Sequence, residues 1–178
     1  MSDDNARTLI RRNRLPYPPS AQHFQHHLQS ILARLRTATD ARIAVLSPPV
    51  LGQELDSAAV RRGRRFAEIV AETAAQYGVD HLPLFAYQYE ELQCSDALQL
   101  PLPAGLRERY SSVLQHVLLR RSYDRISERR GLLLTTDHVH QNTHGASMIA
   151  DLVERFVGGV KSEAKPCSDR GPNSIVGS

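Results

Sequence analysis

Two short apolar runs separated by one long amphipathic helix constrain this chain most. Residues 42 to 47, RIAVLS, form a continuous apolar run of strand length, closed by Pro48 and Pro49. Such a run, without polar alternation, reads as a buried strand of a parallel sheet. From Ser57 to Tyr77 the residues Val60, Gly63, Phe66, Ala67, Val70, Ala71 and Ala74 recur on one helical face, and Gly78 supplies a stop. A second strand is expected at residues 79–85, VDHLPLF. Helix, strand, helix and strand in that order, with short connections, are the signature of a doubly wound α/β sheet. The loop after the first strand, PVLGQELDS, lies where ligands bind in such sheets, at the carboxyl edge of the strands.

The flanking segments fit this plan. Ser20 is a candidate N-cap, and Phe24, Leu28, Ile31, Leu32 and Leu35 follow at helical spacing, predicting a helix over 20–37. Three prolines, at 16, 18 and 19, bar helix just before it. Arg11, Arg12 and Arg14 read as a solvated arm. Between 86 and 130 the pattern is less regular. A short helix is expected near Tyr87–Gln93, then a proline-bounded loop from Leu98 to Pro103. A clear amphipathic helix carries Leu106, Tyr110, Val113, Leu114, Val117 and Leu118, and a short one follows over 123–130. Residues 158–178 begin with two glycines and turn polar, so a disordered tail is expected there. One domain, residues 1–157, precedes it.

Composition excludes more than it selects. The net charge of +3 comes from 22 basic and 19 acidic residues, too even a balance to point to nucleic acid or a membrane surface. No apolar run is long enough to span a bilayer, and MSDDNARTLI has no signal-like core, so a cytoplasmic location is expected. Cys94 and Cys167 are isolated, which predicts neither a disulfide framework nor a cysteine metal site.

The chemistry concentrates in residues 132–157, LLLTTDHVHQNTHGASMIADLVERFV. An apolar strand end leads into a polar turn and then a helix, capped by Asn142 or Thr143. Ala146, Ile149, Ala150, Val153, Phe156 and Val157 make an apolar stripe along that helix. The turn carries Asp137 and His140. At that spacing a carboxylate can accept the imidazole Nδ1–H, hold one tautomer and leave Nε2 as a general base. His138, His140 and His144 are close enough in sequence to suggest a metal, but neither Cys nor Glu completes a ligand set, and no metal or cofactor is expected.

Asp137, His140, Asn142 and Gly145 together resemble the last block of the SGNH, or GDSL-type, serine hydrolases: Asp–x–x–His, Asn, Gly, then a helix. Gln141 stands where that family more often has an apolar residue or proline. The order of elements from residue 20 to 157 is similar to the C-terminal part of that fold. The resemblance implies part of a flavodoxin-like, doubly wound parallel sheet flanked by helices, with the N-terminal strands missing. It implies ester hydrolysis through a serine, with His140 as base and Asp137 as its orienting acid. No Gly-Asp-Ser turn and no Gly-x-Asn motif before the first helix occurs. Ser47, Ser57 and Ser95 lack the setting of a nucleophile. The expectation is therefore a truncated hydrolase for a small ester, completed by a missing half or a partner chain. The alternative is a non-catalytic protein on the same scaffold.

Overall fold

A computed structural model describes residues 20–95, 100 and 123–160. The described elements are α1 (Ala21–Ala38), β1 (Ala44–Leu46), α2 (Ala58–Tyr77), β2 (Asp80–Leu82), α3 (Leu84–Cys94), α4 (Tyr123–Arg129) and α5 (Thr143–Val157). The basic arm, the 98–103 loop but for residue 100, the helix expected around 106–118 and the tail beyond residue 160 lie outside the described residues.

β1 and β2 pair in parallel, with Ala44 opposite Asp80 and Leu46 opposite Leu82. Among the described residues the fold is thus α/β, a two-stranded parallel sheet flanked by helices. The caps act as their sequence implies. The hydroxyls of Ser20 and Ser57 accept from His23 N–H and Val60 N–H, and Gly78 closes α2 in the left-handed conformation at φ 61°. α2 packs against both strands and carries α1 on its outer side. Ala44, Leu46 and Leu82 instead meet Leu152, Ile149 and Phe156 of α5. A second cluster, Val50, Val60, Phe85, Leu92 and Leu134, joins α2 to α3 and to the loops above the sheet. Gly63 lets that contact close: a Cβ there would stand 2.9 Å from the Phe85 ring.

Five expectations need correction. β2 ends at Leu82, not Phe85, because Pro83 becomes the N-cap position of α3. Leu84 and Phe85 are helical and buried, so α3 starts earlier than the helix expected near Tyr87. The apolar residues before the Asp–His turn form no strand; only an isolated antiparallel bridge joins Thr135 to Gln141. On α5 the packed face is Gly145, Met148, Ile149, Leu152 and Phe156, whereas Ala146, Ala150, Val153 and Val157 of the expected stripe are exposed. Both faces of α5 are apolar, and periodicity cannot say which one meets the sheet. Finally, Cys94 is not isolated but disulfide-bonded.

Candidate active site

The turn after Leu134 is held by its own backbone. Thr136 N–H donates to His140 C=O at 2.8 Å, and Asn142 N–H donates to Leu134 C=O at 3.1 Å. Asn142 then starts α5. Its side-chain oxygen accepts from Gly145 N–H at 3.0 Å, while its amide donates to Leu133 C=O at 2.9 Å. Of the two cap candidates, Asn142 is therefore the cap. Thr143 is held from outside by Asp124 of α4, which accepts from both its N–H and its hydroxyl. At Gly145 any Cβ would collide with the Leu134 carbonyl and the Gln141 side chain, so this position admits only glycine without rearrangement.

Inside this frame Asp137 and His140 meet. Oδ1 of Asp137 accepts the backbone N–H groups of Val139 and His140, at 3.1 and 2.8 Å. Oδ2 lies 2.8 Å from Nδ1 of His140. An ionised carboxylate only accepts, so Nδ1 carries the proton and Nε2 is left with its lone pair in the neutral ring. The carboxylate is buried, with 5% of its side chain exposed, whereas 78% of the imidazole is exposed. Burial pushes the Asp137 pKa up. The hydrogen bonds from His140 N–H, the imidazole and Val139 N–H outweigh it, and the carboxyl titrates below its usual range.

His138, between the two, adopts φ 69°, uncommon for a residue with a side chain. Its carbonyl accepts from Gly52 N–H at 2.9 Å, and Gly52 is itself at φ 86°. The loop after β1 is thereby tied to the crest of the turn. Gln53, almost fully buried, extends the tie by donating to Gly131 C=O and accepting from Leu133 N–H, both at 2.8 Å. Neither buried glutamine near the turn, Gln53 or Gln88, carries a sequence signal; each bridges segments far apart in the chain.

The three histidines of the turn go separate ways. His140 faces Asp137, and His144 on α5 lies 3.4 Å from Glu91 of α3. Among the described residues no group of three or more His, Cys, Asp or Glu side chains is placed to hold a metal. The three serines weighed as nucleophiles, Ser47, Ser57 and Ser95, each bond a backbone group. Ser47 is buried, its hydroxyl accepting Phe85 N–H at 2.9 Å at the start of α3. Ser57 caps α2, and Ser95 donates to Leu92 C=O. Among the described residues, no serine hydroxyl is hydrogen-bonded to His140. No described helix is long and apolar enough to cross a membrane.

No family model and no curated protein matches the chain. Among solved structures it is similar to LAE5, an alpha/beta hydrolase enzyme from the metagenome of Lake Arreo, Spain, with a TM-score of 0.53 and 13% identity. The match covers 91% of this chain and 59% of that one, so this chain spans about three-fifths of its neighbour's length. At that identity the likeness concerns the α/β fold alone.

Proposed function

We propose that this chain supplies the acid–base half of a serine-hydrolase site acting on ester bonds, with His140 as general base and Asp137 as the group that orients it. The 2.8 Å contact between Asp137 Oδ2 and His140 Nδ1, with the rest of the imidazole open to solvent, carries this reading. In such a reaction a serine hydroxyl attacks the acyl carbonyl as Nε2 takes its proton. The imidazolium, steadied by Asp137, then returns that proton to the leaving alcohol. Water hydrolyses the acyl-enzyme by the same route. The SGNH type, implied by Asp137, His140, Asn142 and Gly145, belongs to this proposal, as does a second polypeptide segment bearing the serine.

The test uses protein isolated from its native source. It is expected to hydrolyse p-nitrophenyl esters and to react with a fluorophosphonate probe. His140→Ala should lower hydrolysis on the order of 10³-fold or more. Hydrolysis that survives His140→Ala unchanged would refute the assignment. A second reading, a non-catalytic protein on this scaffold, is favoured by the lack of an imidazole-bound serine among the described residues. It predicts no probe labelling in either form.

A further inference from the structure

The residue behind His140, Gln141, departs from the hydrolase pattern, and the structure gives it a partner. Gln88, on α3 and without exposed surface, donates through Nε2 to Gln141 Oε1 at 2.6 Å. Its own Oε1 accepts from Val50 N–H at 2.9 Å. Val50 belongs to the loop whose Gly52 N–H holds the His138 carbonyl. One buried amide therefore reaches the Asp–His turn from two directions: through the loop to its crest, and through Gln141 to the residue after the imidazole. Only a side chain with both a donor and an acceptor can do this. Leucine has neither, and an ionised glutamate lacks the donor.

Packing alone does not explain the pair. Two apolar side chains of similar volume would fill the space, and they would avoid the buried Nε2 of Gln141, which has no partner among the described residues. What the amides add is direction. We propose that Gln88 and Gln141 are positioning residues that set the Asp137–His140 turn against α3. Neither belongs to the reacting groups. The inference rests on the reading of that turn as an acid–base pair, but its test does not measure catalysis.

The experiment compares the ¹⁵N-labelled 178-residue chain with its Gln88→Leu/Gln141→Leu form, which removes both polar groups at nearly constant volume. The readouts are the ring-nitrogen shifts of His140, which report its tautomer, and the exchange rate of its backbone N–H, which donates to Asp137. In the parent the Nδ1–H form should dominate. In the variant the ring is expected to move toward the Nε2–H form, and the backbone N–H to exchange at least about tenfold faster while the rest of the spectrum is retained. If the double variant unfolds, Gln141→Ala, at the half-buried end of the pair, is measured in the same way. A folded variant with His140 tautomer and exchange unchanged would overturn the inference and leave the pair as core filling. Absence of ester hydrolysis would end the proposed function without altering either readout.

Discussion

The Asp–His turn and the outer flank of β1 are the two most contrasting regions of this molecule. The turn is over-determined. Its carboxylate accepts three hydrogen bonds, its crest is tied to the loop after β1, and a buried amide holds its far side. The flank is open among the described residues. β1 pairs only with β2 among the described residues, and all three of its residues are half-buried. Ser47 N–H and Asp80 N–H bond across the pair, so by the alternation of a parallel ladder the N–H and C=O groups of Ala44 and Leu46 point away from β2. On α5 the flank opposite His144 shows Ala146, Ala150, Val153 and Val157 to solvent, the last 74% exposed. On α1, Ile31 is 55% exposed. The contrast teaches that the geometry of the turn comes from contacts within this chain, whereas its sheet and outer helices carry apolar surface that the described residues do not cover.

The sharpest way to break this contrast lies within α5. Leu152 is buried against the sheet and Val153, its neighbour, is 43% exposed. Leu152→Ala should cost about 3 kcal/mol through lost burial and the cavity left behind. Val153→Ala should stay within about 0.5 kcal/mol. Urea denaturation of the two variants checks both; equal losses would mean that the flank is packed.

Next in size is the turn itself. Asp137→Asn keeps the shape but removes the charge that its three donors face, and should cost about 2 kcal/mol. The cost should also depend on pH. The folded-state pKa of Asp137 lies below its unfolded value, so its stabilisation is fully present above about pH 4 and is lost as pH falls through the lowered folded value. Thermal melts of the parent and Asp137→Asn should therefore converge below about pH 4. A gap that stays constant from pH 6 to pH 3 would contradict the assignment of that charge.

The smallest effect sharpens the other side. Val153→Lys with Val157→Lys should change stability by no more than about 0.5 kcal/mol at exposed sites. It should also raise the concentration at which light scattering detects self-association, since exposed apolar patches and free strand edges are the places where chains stick.

Much of this was legible in the chain. The helices over 20–37 and 57–77 appear almost as expected because their signals are local: a serine cap, a helical period and, for the second, a glycine stop. Asp137 and His140 meet for the same reason, since a three-residue spacing lets one turn close on its own carboxylate. The run LPLF misled because a short apolar stretch suits a strand and a buried helix start equally, and Pro83 favours the second. The bridge from Gln88 to Gln141 spans 53 positions and leaves no local trace.

The sequence by itself determined the order of helices and strands, the caps and the Asp–His pair, because each depends on interactions a few residues long. Only the tertiary structure decided which face of α5 meets the sheet, where β2 gives way to α3 and which buried amides brace the turn. Those outcomes depend on surfaces brought together from distant parts of the chain, and several local patterns fit them equally well until packing selects one.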